Sequence, residues 1–253
     1  MLIYYFSATG NSLYAAKYLR SALSNVQLKS IPKMIREQKF QASDESIGFI
    51  FPLHYGGLPM LVEEFARKLE LSNARYIFAI ATCGIPFLGE PFNELEEILN
   101  RKLNASWFLR LVSNYLPSRD TAADWRIRFR YWWADRQLPK IVESISKNES
   151  RSTWEFGKNF CRKMHDEWKF RKSELDKNFI CDRSRCIRCG MCEKICPVIN
   201  IVRPHGFPVW NNNCVECLGC LHICPQQAID VGEITKNRKR YRHWRIKPEE
   251  LLR

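Results

Sequence analysis

Apolar residues fall into short uninterrupted runs along the first 118 residues, and segments with helical periodicity separate these runs. The runs lie at 2–6, 47–51, 76–81 and 107–112, and a weaker strand signal lies at 27–31. Uninterrupted runs of this length are typical of strands that are buried on both faces. After the first run, Leu13, Ala16 and Leu19 share one helical face. Because parallel neighbours need long crossovers, this alternation predicts an α/β domain with a doubly wound, five-stranded parallel sheet.

The rest of the chain divides into three segments. Residues 119–177 are helical in pattern and basic, and one apolar stripe joins Trp154, Gly157, Cys161, Met164 and Trp168. A cysteine-rich segment and a basic tail follow. We therefore expect an α/β domain at 1–150, a connecting helix at 151–178, a small second domain at 179–235 and a tail at 236–253.

Composition narrows the class of protein. Apolar residues make up 45% of the chain and charged residues 26%, as in an average soluble domain, which excludes a mainly disordered chain. No apolar run approaches the roughly 20 residues of a membrane span, and the first residues do not resemble a signal peptide. We therefore expect a cytoplasmic protein without a membrane partner. The formal net charge of +13 favours an acidic partner.

Eight of the 11 cysteines belong to an internal repeat. Cys186, Cys189, Cys192, Cys196, Pro197 and Ile201 each recur 28 positions later, as Cys214, Cys217, Cys220, Cys224, Pro225 and Ile229. Each half reads C-x-x-C-x-x-C-x-x-x-C-P, the spacing of two-cluster bacterial ferredoxins, in which the fourth cysteine of each run ligates the other cluster. One 4Fe–4S cluster is assigned to Cys186, Cys189, Cys192 and Cys224, and the other to Cys214, Cys217, Cys220 and Cys196.

Zinc and disulfides are the alternatives for so many cysteines. A single C-x-x-C usually indicates zinc, but structural zinc has no use for two identical runs that each end in Cys-Pro. The odd count argues against a disulfide scaffold. Three cysteines, Cys83, Cys161 and Cys181, lie outside the repeat, and small apolar side chains are the simplest interpretation of Cys83 and Cys161.

The loop after the first strand, residues 7–12, has the chemistry of a phosphate site. Hydroxyl side chains and one glycine precede a helix, which is also ordinary N-capping chemistry. Anions bind at helix N-termini after strands of parallel sheets. The loop is neither a G-x-G-x-x-G fingerprint nor a Gly-Lys-Ser/Thr loop. A phosphate monoester such as that of FMN is the remaining candidate ligand.

Several segments of the chain resemble known families. Residues 5–12, Y-F-S-A-T-G-N-S, are similar to the flavodoxin phosphate loop T/S-x-T-G-x-T/S. The segments C-P-V-I-N-I, G-F-P-V-W, N-C-V-E-C-L-G-C-L-H-I-C-P and A-I-D resemble the EFR1-family ferredoxins, anaerobe proteins that fuse a flavodoxin-like domain to a two-cluster ferredoxin. This resemblance covers essentially the whole chain. It implies a flavodoxin-like sheet of order 2-1-3-4-5, a small α+β bacterial-type ferredoxin domain, FMN and two 4Fe–4S clusters.

The resemblance also implies the flavin-binding residues. The FMN phosphate would contact Ser7, Thr9, Gly10, Asn11 and Ser12. Two later strand ends would frame the flavin ring, and they comprise Pro52, Leu53, His54, Tyr55, Gly56, Thr82, Cys83 and Gly84. Tyr55 is the best stacking candidate, and the alternative role for it is to cover the end of the sheet. His54 is a candidate proton donor to the flavin, but a lone loop histidine is more often merely solvated.

The tail and the cofactors together suggest the function. Six of the ten residues 236–245 are basic, and Tyr241, His243 and Trp244 lie among them. Such a segment is typical of RNA binding or of binding to a membrane surface. It also fits a tail that packs its aromatic rings on the protein, or one that binds an acidic redox partner, and nucleic acid is less favoured than these.

We expect an electron carrier that exchanges electrons between FMN, two clusters and a ferredoxin- or flavodoxin-type protein. The alternatives are a flavin-dependent reductase of a small molecule and a two-cluster ferredoxin with an empty flavodoxin-like scaffold. No catalytic residue is assigned.

Overall fold

The computed structural model describes residues 1–252, and the side chains of all of these except Ser173. The chain forms two compact units. The first comprises residues 1–7, 11–112 and 123–169, and the second comprises 8–10, 113–122 and the chain from Phe170 onward. Helix α6, expected as a connection, therefore belongs to the first unit up to Lys169. None of the helices in residues 1–252 is long and apolar enough to cross a membrane.

The first unit contains a parallel five-stranded sheet of order β2-β1-β4-β6-β7. Its strands are β1 (Leu2–Tyr5), β2 (Gln27–Ser30), β4 (Ser46–Pro52), β6 (Tyr76–Cys83) and β7 (Ala105–Arg110). Two short strands, β3 (Gln41–Ala42) and β5 (Glu70–Leu71), pair with each other outside this sheet. The strand numbers differ from the expected 2-1-3-4-5 because these two extra strands precede β4 and β6 in the chain.

Six helices accompany the sheet. They are α1 (Asn11–Ala22), α2 (Ile31–Arg36), α3 (Met60–Lys68), α4 (Pro91–Leu99), α5 (Asp124–Ser146) and α6 (Lys158–Phe170). Helix α4 ends at Leu99, because Asn100 adopts a left-handed conformation. The predicted apolar stripe is shorter than expected, since Trp154 and Gly157 precede α6. Cys161 and Trp168 are buried, whereas Trp154 is 70% exposed.

The core of the first unit lies around β4 and β6. All eight residues of β6 are buried, as expected for a central strand with helices on both faces. Gly48 on β4 is paired with Phe78 on β6. A Cβ atom at Gly48 would lie 2.3 Å from Cζ of Phe78, so the absence of a side chain at this position makes room for the aromatic ring.

The second unit is built from short elements. Two antiparallel pairs join β8 (Phe179–Cys181) to β11 (Ile229–Val231) and β9 (Ile201–Val202) to β10 (Val209–Trp210). Its short helices are α7 (Met191–Ile195) and α8 (Gly219–Ile223), with 3-10 turns at Lys172–Glu174, Pro204–Gly206 and Pro248–Leu251. A small apolar core includes Ile195, Ile201, Leu221 and Ile229, all of which lie in or beside the cysteine repeat.

Candidate metal centres

The two halves of the cysteine repeat have the same backbone conformation. Helices α7 and α8 begin and end 28 residues apart. The cysteines that follow them, Cys196 and Cys224, have φ/ψ angles of −65°/114° and −63°/114°. Left-handed residues also recur at this spacing, at Arg188 and Glu216, Gly190 and Leu218, and Ile199 and Gln227. The sequence repeat is therefore a structural duplication.

The first predicted ligand set surrounds one cavity. Cys186, Cys189 and Cys192 from the first half line this cavity together with Cys224 from the second half. Most of the remaining lining is apolar or backbone, including Gly190, Pro208 and Ile229. The fourth cysteine of the second run thus lies with the first three of the other run, as the ligand assignment requires.

The second predicted ligand set is also brought together, and it is more deeply buried. Cys196 and Cys220 are each 8% exposed. Burial, and then the neighbouring Cys196 thiol, raises the pKa of Cys217 to about 12. Burial and then Cys217 raise the pKa of Cys214 well above its usual value, and Cys196 adds to this effect. Since these thiols are protonated at neutral pH without metal, each must lose a proton when a cluster binds.

Backbone amides already point at three of the sulfur atoms. The amide of Asn200 donates to Cys196 Sγ at 3.2 Å, and the amide of Ala228 donates to Cys224 Sγ at 3.2 Å. In addition, the Glu216 amide donates to Cys214 Sγ at 3.3 Å. Such donors stabilise thiolate charge and raise cluster reduction potentials. The donor set and the cavity therefore fit two 4Fe–4S clusters, which would be held by the eight cysteines.

Two buried polar residues that the sequence analysis missed fix the cluster-binding loops. Asn200 is 2% exposed, and its side-chain amide donates to Asp176 at 2.7 Å. Its side-chain oxygen accepts hydrogen bonds from the amides of Asn211 and Asn213. His222, between two cysteines of the second run, contacts the Asn114 carbonyl and accepts from the Tyr241 amide. The only sequence signal was their position inside the cysteine repeat.

Cys181 lies beside the first ligand set, although its position matches neither run. It is on β8 opposite Ile229 of β11, a residue that lines the first cavity. Its pKa is raised to about 12 by burial and then by Cys186, with which it shares a hydrogen bond. The β8–β11 pairing, which sequence spacing does not reveal, brings this ninth thiol next to the cluster ligands.

The predicted flavin-ring residues of the first unit pack against Trp168. Tyr55 stacks on Trp168 with ring centroids 5.2 Å apart and an angle of 26°, and His54 contacts the same ring edge-on at 5.6 Å. Trp168 is 1% exposed. Burial, and then His165, lowers the pKa of His54 to about 3, so that His54 is neutral at physiological pH. Trp168 therefore covers one face of the Tyr55 ring.

The other residues predicted to contact the flavin ring make their contacts at the ends of the sheet strands and in the adjoining loops. Thr82 donates or accepts a 2.9 Å hydrogen bond with Ser12, and its carbonyl accepts from the Leu53 amide, next to Pro52. Cys83 is 7% exposed, and burial raises its pKa to about 12. The Gly84 carbonyl accepts from Arg130 at 2.8 Å, and the Gly56 carbonyl accepts from the Glu90 amide. These groups are engaged within the first unit.

The predicted phosphate-binding residues are divided between the two units. In the first unit Ser7 is partly exposed, Asn11 donates to the Val112 carbonyl, and Ser12 is 1% exposed. In the second unit the Thr9 carbonyl accepts from the His243 amide at 2.8 Å, and the Thr9 hydroxyl is hydrogen-bonded to Asn114.

The tail also covers Gly10. This residue has a φ of 102°, and a Cβ atom there would lie 2.9 Å from Cβ of His243. Tyr241 and His243 are buried in the second unit, whereas Trp244 is 64% exposed. Side chains of the chain itself therefore contact both Gly10 in the second unit and Tyr55 in the first.

Comparison with known proteins identifies the cysteine segment. Residues 185–229 match the family model of a 4Fe–4S dicluster domain. The chain therefore contains an iron–sulfur domain of the ferredoxin type. No curated protein matches the chain.

Three solved structures show partial similarity. The rubredoxin oxygen:oxidoreductase of Desulfovibrio gigas matches with 15% identity and a TM-score of 0.36, over 58% of this chain and 36% of that one. A thermophilic tryptophan halogenase from Streptomycin violaceusniger matches with 12% identity and a TM-score of 0.35, over 53% and 96%. The Trp repressor binding protein of Bacillus subtilis matches with 10% identity and a TM-score of 0.32, over 54% and 96%. These TM-scores are too low to assign the fold.

Replacing Cys196 tests the ligand exchange between the two halves. Cys196→Ala removes a ligand from the set of Cys214, Cys217 and Cys220, although it lies in the other run. We expect iron and acid-labile sulfide to fall from about eight to about four of each per chain, since each cluster contains four of each. Cys161, which is also buried, is the matched control when replaced by Ala and should leave both contents unchanged. A Cys196→Ala variant that still contains the full complement of iron per chain would contradict the ligand assignment.

The flavin content of the purified chain tests whether the two predicted contact regions bind FMN. Acid extraction of the anaerobically purified chain, and of the chain after reconstitution with excess FMN, should release far less than one FMN per chain. The physical reason is that Trp168 already stacks on one face of Tyr55, and His243 packs against Gly10. Stoichiometric FMN would show that both residues move aside, and would restore the flavin hypothesis.

Proposed function

We propose that this chain is an electron carrier that uses two 4Fe–4S clusters. The observation that supports this function best is the exchange of cysteines between the duplicated halves, which places Cys224 in a cavity with Cys186, Cys189 and Cys192. Each 4Fe–4S cluster exchanges single electrons, and hydrogen bonds to its sulfur atoms adjust its potential. The second unit supplies such donors at Cys196, Cys214 and Cys224.

The ligand exchange has a direct consequence for electron transfer. Because each run supplies three ligands to one cluster and the fourth to the other, both clusters are held by the same short segment. Ile195 and Ile223, the residues before the exchanged cysteines, belong to one apolar core. The loops are therefore fixed before an electron arrives. A rigid ligand shell keeps reorganisation small, which suits a carrier that is reduced and oxidised repeatedly.

An acidic redox protein is the partner that the charge favours. From residue 178 on, the chain has 13 basic and 7 acidic residues, a net charge of +6. Complementary charge accelerates encounter between redox proteins and makes the rate depend on salt. A ferredoxin- or flavodoxin-type protein with an acidic surface matches these requirements.

FMN is not part of the proposed function. The residues predicted to contact it are engaged with Trp168 in the first unit and with His243 in the second. The proposal therefore corresponds to the alternative of a two-cluster ferredoxin joined to an α/β domain without flavin.

Voltammetry of the anaerobically reconstituted chain tests the redox function. We expect reversible one-electron responses with a total of two electrons per chain and no flavin response, because each cluster accepts one electron. The Cys196→Ala variant should lose about half of this charge. A chain that contains both clusters but gives no reversible response would contradict an electron-carrier function.

Stopped-flow reduction by an acidic bacterial ferredoxin tests the partner. The second-order rate should fall steeply as salt rises, because screening weakens attraction between the basic protein and the acidic one. A neutral reduced flavin is the control reductant, and its rate should respond little to salt. Equal salt responses for both reductants would remove the acidic partner from the proposal.

A further inference from the structure

Helix α5 of the first unit has a row of exposed aromatic side chains. Trp125, Phe129, Trp132 and Trp133 are 66%, 58%, 44% and 46% exposed. Their spacing of i, i+4, i+7 and i+8 places them on one face of the helix. Exposed side chains of this size rarely cluster on a protein surface without a binding partner. We refer to these four residues as the aromatic ridge.

Three rings of the aromatic ridge contact one another. Phe129 stacks on Trp132 at 5.7 Å and 22°, and on Trp133 at 6.4 Å and 18°. The centroids of Trp132 and Trp133 are 5.6 Å apart. The rings therefore form a continuous surface rather than scattered exposed positions.

The aromatic ridge is not needed to hold α5 on the sheet. A separate set of side chains is buried against the first unit, namely Ile127, Ala134, Leu138, Ile141 and Ile145. Arg130 also points inward and donates to the carbonyls of Gly84 and Leu111. Since the inner face of α5 is already packed, the ridge is available for another partner.

Arginines flank the aromatic ridge. Arg126 lies 5.0 Å from the centroid of the Trp125 ring, and Arg136 lies 4.0 Å from that of Trp132. Arg128 is exposed on the same part of the helix. Between residues 124 and 140 there are five basic and two acidic residues, and one of the acidic residues, Asp135, is partly buried and bonded to Tyr14. The exposed surface around the ridge is therefore aromatic and positive.

We propose that the aromatic ridge binds the surface of an anionic lipid bilayer. Indole rings are apolar bodies with one polar N–H group, and they partition into the headgroup region of membranes. Arginines beside them contact lipid phosphates, and a helix with this combination lies in the plane of the interface. A helix surface of this kind needs no matching groove in its partner. A second copy of the chain is a poor partner because it would bring the arginines of both copies together.

The proposal differs from the expectation of no membrane partner. That expectation rested on the lack of a segment long enough to span a bilayer, and a helix that lies on the surface does not require one. The proposal is also independent of the clusters, because the ridge and its arginines all belong to the first unit.

Vesicle sedimentation of the full cluster-containing chain tests this surface. We expect binding to vesicles of phosphatidylglycerol and phosphatidylcholine at low salt, and much weaker binding to phosphatidylcholine alone. The double variant Phe129→Ser and Trp133→Ser should bind anionic vesicles roughly tenfold more weakly or worse, since the apolar contribution is lost. Arg128→Gln with Arg136→Gln should reduce both the affinity and its salt dependence.

Matched measurements distinguish insertion from a loss of folding. Phe160→Ser is the control, because Phe160 is 70% exposed on a different helix of the same unit, and it should bind as the unchanged chain does. Iron content and thermal unfolding should be equal in all variants. Brominated lipids should quench tryptophan emission of the unchanged chain more than that of the Trp132→Phe and Trp133→Phe variant.

Three outcomes would overturn the proposal. The first is no preference of the unchanged chain for anionic vesicles at low salt. The second is an equal loss of binding in the Phe160 control and the ridge variants. The third is ridge-dependent binding to an acidic protein or to nucleic acid while vesicles are not bound, which would assign the same surface to another class of partner.

Discussion

The proposed electron carrier depends on the exchange of Cys196 and Cys224 between the two halves of the second unit. In the proposed assignment each run supplies three local ligands and its fourth cysteine to the other cluster, so neither half would form a complete site alone. The pairs of left-handed residues at a spacing of 28 keep both loops in one conformation, and the equal φ/ψ angles of Cys196 and Cys224 direct both sulfur atoms across the repeat. Cluster binding and folding of this unit are therefore coupled, because ligands from distant positions must meet before a cluster is held.

Buried polar groups keep this exchange in place. Asn200 makes four hydrogen bonds through its backbone amide and side chain: one to Cys196 in the first run, one to Asp176, and two from the amides of Asn211 and Asn213 after β10. Asp230 has a similar role near the second run, where it is bonded to Thr235 and Arg240. A polar side chain that is buried without a partner is costly, so these networks favour one arrangement of the loops over alternatives.

The sequence indicated the strands and the cysteine duplication, but not which distant side chains pack against the residues predicted to contact the flavin. The apolar runs and the 28-residue repeat are visible in the sequence as local patterns. The runs correspond to β1, β4, β6 and β7 in the structure, and the repeat corresponds to the duplicated helices α7 and α8. Whether a predicted ligand-binding loop is covered by the protein depends on which distant side chains pack against it. The sequence pattern places Trp168 in an apolar stripe, and nothing in its spacing indicates that it stacks on Tyr55. The contact of His243 with the loop at Thr9 and Gly10 spans more than 230 residues, and Cys181 reaches the cluster ligands only through strand pairing.

Electron paramagnetic resonance of the fully reduced chain tests the central claim most directly. Two clusters that share one short segment through exchanged ligands lie close enough for their unpaired spins to interact. We expect a broadened spectrum from two coupled 4Fe–4S clusters at full reduction, and a simple spectrum of one isolated cluster at partial reduction. A spectrum of a single, uncoupled cluster at full reduction, in a chain with a full complement of iron, would contradict the exchange of Cys196 and Cys224.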